Sequence, residues 1–504
     1  MEKQDNSIII IGAGFAGLAA GIYGRMNGYH TRIFEMHNQP GGLCASWKRK
    51  GYTFDGCIHW LVGSNPQSAL NHIWNETGVA KGREFVYPEE YARFEGADGR
   101  TVVFHANVDR LEKHLLELAP GDEKPIREFA DGIRMCLSFN FPSPTDAFGV
   151  KMKKQVSTAL SFIKNKRNFD RWGKITGKVF ADSFTDTLLR DAFMEIWIPE
   201  FSMLFMLFTF AYLHQKNAGY PIGGSKPMSE ALENRYRELG GELYYKSRVS
   251  RILTSDGRAT GIRLEDGTEH MAGRIISAAD GHSTLFSMLD EKYVDAQTRE
   301  PYEKWPVFHP ILIVSMGVNR KFDDVSVTVS GFSFALKEPV MIAEKLRSRL
   351  PVHIYNQDPT LAPEGKTMLN IMLDTDYEYW KKLGDDSAAY KRKKAEIGET
   401  VVSLLEQRFP GITPLVEVID VATPLTLERY TGNWKGSFEG WLITPDNAGV
   451  LMKPMRQTLP LLRNFYMCGQ WVEPGGGLPT AITSGRRLVK AICREDGIPF
   501  RTDM

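Results

Sequence analysis

The chain has 504 residues, 42% of them hydrophobic and 24% charged, a composition that suits a folded protein of about three domains and excludes a disordered one. Lys plus Arg (62) and Asp plus Glu (61) nearly cancel, so charge offers no argument for a nucleic acid partner, and no recognition motif for one is present. The five cysteines (Cys44, Cys57, Cys136, Cys468, Cys493) are scattered and odd in number, with no zinc-ligand spacing. That pattern excludes a disulfide scaffold, gives no metal site and fits a reducing, cytoplasmic compartment.

The first element is a β-branched run, Ile8 to Ile11, suited to a strand buried on both faces. Gly12, Gly14 and Gly17 follow as G-x-G-x-x-G, with small residues continuing through Gly21. Such glycines give a tight turn, close approach of backbone to a pyrophosphate, and close packing of helix on strand. The polar flank before the run lacks the basic charge of a secretory signal. The next strand, "HTRIFE", ends in Glu35, about 20 residues on, where a carboxylate accepts from ribose hydroxyls and repels a 2′-phosphate. Together they predict a Rossmann-type dinucleotide site that disfavours NADP. A second glycine pair, Gly41 and Gly42, lets backbone approach a further part of a long cofactor and points to FAD. No second G-x-G-x-x-G is present, so an electron donor or acceptor must use the same cleft, or be a separate protein or quinone.

Further along, Lys151 to Phe180 is crowded with Lys and Arg around a single acid, Asp170, with Val156, Leu160, Phe162 and Ile163 loosely on one helix face. A basic amphipathic segment over 151–178 predicts peripheral contact with an anionic membrane surface, against the alternative of a solvated face. The apolar run Phe201 to Leu213 is too short to span a bilayer and reads as a core helix or an interfacial segment. A strand-like "PILIVSMGVNR" and a helical "DSAAYKRKKAEIGETVVSLLEQRF" follow.

Five segments in this order resemble the family of FAD-dependent phytoene desaturases, carotenoid isomerases and retinol saturases: the glycine-rich start, "GYPIGGSKPMSEAL" (219–232), "GGELYYKSRVSRI" with "GRIISAADGHSTL", "TPLTLERYTGNWKGSFEGW" (423–441), and "NFYMCGQWVEPGGGLPTAITSGRRLVKAI" (464–492). The resemblance implies an α/β fold with a discontinuous FAD-binding domain (1–75, 220–300 and 455–504). A helical, membrane-facing insert (76–219) and an α+β substrate domain (301–454) complete it. It also implies that Gly41, Gly42 and Leu43 lie along the diphosphate and ribityl portion, Val249 meets the adenine, Gly469 approaches the diphosphate, and Gly477, Leu478 and Pro479 pass the flavin edge. Cys57, Leu43 and Glu473 depart from residues common in relatives, whereas "IHW" at 58–60 is similar to the retinol saturase branch.

The implied function is an FAD oxidoreductase that desaturates, saturates or isomerises carbon–carbon bonds of a long apolar polyene or isoprenoid lipid such as a carotenoid or retinoid. Unsaturated fatty acids, amines, or a non-catalytic FAD-binding role are the alternatives. Bound FAD carries the redox chemistry, which leaves the protein to move a proton. His59, with an ordinary pKa of about 6.5, is the first candidate and Glu473 the second. Cys44 and Cys57 are either redox-active or inert buried thiols. Trp60, Trp471, Phe205, Phe208 and Phe210 are tunnel or core.

Overall fold

The structure is a computed structural model that describes residues 5–139, 148–451 and 455–502. In chain order it opens with β1 (Ser7–Ile11), α1 (Phe15–Met26) and β2 (His30–Phe34). The middle begins with a hairpin, β3 (Glu90–Glu95) and β4 (Thr101–His105), followed by α2 (Val108–Leu118), α3 (Glu123–Leu137), α4 (Phe148–Lys174) and α5 (Met203–His214). Next come α6 (Ser225–Glu238), β5 (Glu242–Tyr244), β6 (Val249–Ser255), β7 (Arg258–Leu264) and β8 (Arg274–Ser277). The last third holds β9 (Ile311–Val318), β10 (Phe332–Ile342), β11 (Lys345–Ile354), β12 (Thr367–Asp374), α7 (Ser387–Arg408), β13 (Val416–Ala422), β14 (Leu462–Met467) and α8 (Gly477–Glu495).

Among the described residues, two sheets organise these elements. The first runs β5-β2-β1-β8-β14-β7-β6, with two further short strands, Glu269–Met271 and Thr458–Leu459, at its margins. Its β5, β2, β1, β8 and β14 pair in parallel, and the β-branched side chains of β1 are fully enclosed by helices and neighbouring strands, as expected of a sheet covered on both faces. A Cβ on Gly485 of α8 would lie 2.5 Å from the Ala16 carbonyl, so α8 seats directly on α1 only because that position is bare.

The second sheet runs β13-β9-β12-β11-β10-β3-β4. Here the structure departs from the helical insert expected for 76–219. The hairpin β3–β4 belongs to the sheet of the later domain, and β3 pairs with β10 in parallel from Arg93↔Phe332 to Glu95↔Phe334. The consecutive apolar residues Val102, Val103 and Phe104 of "TVVFH" are all buried in this strand, and the helical part of the region begins only at Val108.

Helix α5 settles the apolar run at 201–213. Phe210 and Leu207 are almost wholly enclosed, with Phe210 edge-on to Phe129 and packed against Phe104, so the helix is core. No helix among the described residues is long and apolar enough to cross a membrane.

Candidate functional site

One cavity of about 1790 Å³ runs from the turn after β1 to the face of the second sheet. At the first end, Gly12 takes φ +97° and its N–H donates to the Phe34 carbonyl at 2.8 Å, which folds the chain from β1 sharply into α1. A Cβ on Gly17 would stand 2.0 Å from the Gly12 carbonyl oxygen, so this turn excludes every other residue there. Helix α1 starts at an N-cap glycine, Gly14, without a capping side chain or an acid in its first turn. Its first N–H groups therefore remain open to an anion, and the helix dipole favours one there.

Glu35 follows β2 and is only 7% exposed. Its carboxylate accepts from the Ala13 N–H at 2.7 Å and the His37 N–H at 2.8 Å, which fixes it at the cavity wall beside the glycine turn. Glu35→Ala is expected to unpair two backbone donors, each worth about 1–3 kcal/mol, and to lower FAD affinity by more than Glu35→Gln, which keeps an acceptor oxygen. Titrating the apoprotein with FAD checks the order of the two variants.

Gly41 (φ +112°) and Gly42 (φ +60°) cross close to this turn, with the Gly41 N–H donating to the Ala13 carbonyl at 2.9 Å. Leu43, Val249 and Gly469 join the same wall, and Gly469 (φ +100°) is held by the Ser484 hydroxyl at 2.9 Å. Gly475, Gly476 and Gly477 all take positive φ and lead into Leu478 and Pro479, again lining the cavity. Residues separated by more than 450 positions thus form one bare-backbone trough. Its length, glycine content and helix terminus fit an extended dinucleotide such as FAD. Of the residues expected to hold the cofactor, Gly17 alone lies behind the trough instead of on it.

Beyond the trough the cavity widens between Trp60, Trp197, Phe205, Phe208 and Trp471, whereas Phe210 stays in the core. His59 faces this chamber, and burial pushes its pKa down to about 4, so the imidazole is neutral near pH 7. Its ring lies 4.9 Å from that of His353, which burial also keeps neutral and which stacks on Tyr355 at 4.2 Å. Both ring nitrogens of His353 lack a hydrogen-bond partner among the described residues. Glu473 lies off the cavity lining and forms an ion pair with Arg487 at 2.5 Å.

A different carboxyl faces the chamber. Glu439 lines the cavity so close to the glycine run that a Cβ on Gly476 would be 2.3 Å from its Oε2. Burial alone raises its pKa to about 7. The residue sits in a loop with no periodic pattern, and only the fold brings it to Gly476, so no local signal marked it. Cys57 is close to Cys44, and that neighbour together with burial raises its thiol pKa, leaving it protonated and a poor nucleophile.

A trough for a long dinucleotide that opens into an aromatic chamber with a neutral imidazole and a carboxyl raised to about 7 defines the class: a flavoprotein oxidoreductase. The chain belongs to the flavin containing amine oxidoreductase family, whose model matches residues 15–493, and FAD is its cofactor. It is 25% identical to prolycopene isomerase 1, chloroplastic, of an Oncidium hybrid cultivar over 99% of this chain and 85% of that protein. It is also 25% identical to the neurosporene-forming phytoene desaturase of Rhodobacter capsulatus, over 96% and 93%. An oxidoreductase from Methanosarcina mazei shares the fold, with a TM-score of 0.61 at 17% identity, over 96% of this chain and all of the other.

Proposed function

We propose that the protein desaturates, saturates or isomerises carbon–carbon bonds of a long apolar polyene or isoprenoid lipid. The carrying observation is the aromatic chamber that continues directly from the glycine trough, with His59 and Glu439 on its wall. The similar carotenoid isomerases and desaturases support the substrate class. FAD, when bound, supplies two-electron exchange with carbon. On this reading Gly12, Gly14 and Gly469 hold the diphosphate, Glu35 the adenosine ribose, Val249 the adenine by its backbone, Gly41, Gly42 and Leu43 the ribityl portion, and Gly477, Leu478 and Pro479 the flavin edge. Trp60, Trp197 and Phe205 exclude water and flatten a conjugated chain against the reacting end. Glu439 holds a transferable proton at its carboxyl, and neutral His59 accepts or donates through one ring nitrogen. Glu473 is left with a supporting role through Arg487.

Anaerobic incubation of the holoenzyme, once with its flavin oxidised and once chemically reduced, with polyenes, unsaturated fatty acids and diamines tests the reading by product mass. Polyenes losing two hydrogens to the oxidised form identify a desaturase. Polyenes gaining two hydrogens identify a saturase, and unchanged mass with altered retention identifies an isomerase. Turnover confined to amines or fatty acids overturns it.

The second part of the reading is delivery from an anionic bilayer. On α4, Val156 (54% exposed), Leu160 (60%) and Ile163 (75%) form an outward stripe flanked by Lys153, Lys164 and Arg167. On the inner side Phe162 and Phe169 reach the cavity lining. A charge-flanked apolar stripe at a cavity mouth suits a lipid surface, with each basic residue worth about 1 kcal/mol near it. Leu160→Glu with Ile163→Glu is expected to abolish flotation with anionic liposomes while leaving FAD content unchanged. Flotation equal to the unaltered protein overturns membrane delivery.

A further inference from the structure

We propose that the cavity grips its substrate by a carboxylate at the chain's far end, on the cations that β11 turns into the cavity. The inference rests on the polyene reading above and adds the end group that this reading leaves open.

Lys345, Arg347, Arg349 and Pro351 line the cavity, together with Leu346 and Ser348 at the same end of β11, and share their face of the strand with His353. His353 touches His59 at the reacting end. At about 3.3 Å per residue, Arg347 lies roughly 20 Å further along the strand. The wall therefore has a neutral end at His353 and a cationic end at Arg347 and Lys345, with Pro351 and Arg349 between them.

The protein satisfies these cations only in part. Asp374 on β12 accepts from Lys345 and, at 2.5 Å, from Arg347 Nη1. Arg349 pairs with Glu195 at 3.4 Å and donates to the Glu95 and Ser333 carbonyls at 2.6 and 2.9 Å. Lys345 and Arg347 thus share the single carboxylate of Asp374, one cation more than that carboxylate neutralises, whereas Arg349 has Glu195, Asp191 and Glu95 around it. Arg347 Nε is buried without a hydrogen-bond partner among the described residues.

Filling this end with hydrocarbon strips water from the guanidinium and returns nothing to it. A carboxylate neutralises the surplus charge and presents two coplanar oxygens to a guanidinium fork, which a methyl or methyl ester terminus cannot do. One surplus charge also matches a carboxylate better than a phosphate monoester, which carries up to two.

The test uses the FAD-loaded enzyme and two polyenes alike except for the end group, a carboxylic acid and its methyl ester, with affinity read from the flavin absorption change. The acid is expected to bind about tenfold tighter, equivalent to about 1.4 kcal/mol. Arg347→Gln is expected to remove most of that preference, and Asp374→Asn, which frees Arg347 and Lys345, to increase it. A purely structural role for these residues weakens both ligands alike in both variants, so opposite movements of the acid-to-ester ratio separate the two explanations. A ratio near one in the unaltered enzyme, or a ratio unmoved in Arg347→Gln, overturns the proposal and leaves the polyene reading standing. A chain-matched alkyl phosphate that outbinds the acid overturns the choice of carboxylate. Diamines that perturb the flavin where neither polyene does overturn the polyene reading and this inference together.

Discussion

Glu439→Gln is expected to lower turnover about 100-fold, at the lower end of what a positioned acid or base contributes. Gln matches the shape of Glu but carries no transferable proton. The pH profile makes the test specific. With a pKa of about 7, the unaltered carboxyl donates a proton below that pH and is spent above it. Activity that depends on this donor therefore falls as pH rises through 7, and the limb is absent in Glu439→Gln. Stability carries the same sign. The folded protein holds the Glu439 proton above the ordinary carboxylate range near 4.5, so the stability linked to it is complete below about 4.5 and is lost as pH rises through about 7. Thermal melts from pH 5 to 8 should fall for the unaltered protein and fall less for Glu439→Gln. A variant with full turnover and the same limb at pH 7 would remove Glu439 from proton transfer and leave that task to His59, whose depressed pKa of about 4 produces no limb near neutrality.

Gly17→Ala is expected to yield protein that purifies without flavin. The added Cβ meets the Gly12 carbonyl oxygen at 2.0 Å and the Ala278 Cβ at 3.1 Å, and no side-chain rotation relieves either contact. Displacing the turn after β1 costs about 3 kcal/mol, roughly 100-fold in affinity if all of it falls on the cofactor. Gly14→Ala is the informative control, because nothing lies within 4 Å of a Cβ there and its φ is ordinary for any residue. The two variants separate a requirement of the fold from crowding of the cofactor itself. Flavin content and far-UV circular dichroism read both, and a Gly17→Ala protein with stoichiometric FAD would show that the turn relaxes.

The cofactor trough was legible in sequence because its rules are local. Gly12, Gly14 and Gly17 answer to the geometry of one turn, and Glu35 follows at a spacing set by one helix and one strand. The chamber was legible only in part: the sequence offered His59, Trp60, Trp471, Phe205 and Phe208 as candidates, but how they meet, and that Glu439 joins them, depends on long-range packing. Glu439 reaches Gly476 across 37 positions, and His59 reaches His353 across 294. Strand β11 did contain a signal: Lys345, Arg347, Arg349, Pro351 and His353 recur at period two. Basic alternation usually marks a solvated strand, and only the sheet order shows that this face looks into a cavity. The hairpin β3–β4 was obscured in another way. It lies in a region dominated by helices, yet it completes a sheet whose other strands begin more than 200 residues later.

The order of strands in the first sheet has a consequence for the life history of the molecule. β14, more than 450 residues after β1 in the chain, occupies an interior position beside β8. Pairings at such separation carry a large loop-closure cost and form slowly. While the ribosome is still working, the nascent amino-terminal strands lack their neighbours and the substrate sheet must fold between them. Cofactor capture therefore waits for the segment that carries Gly469 and Gly477, and a translation product cut short before residue 462 has no complete trough with which to retain a flavin.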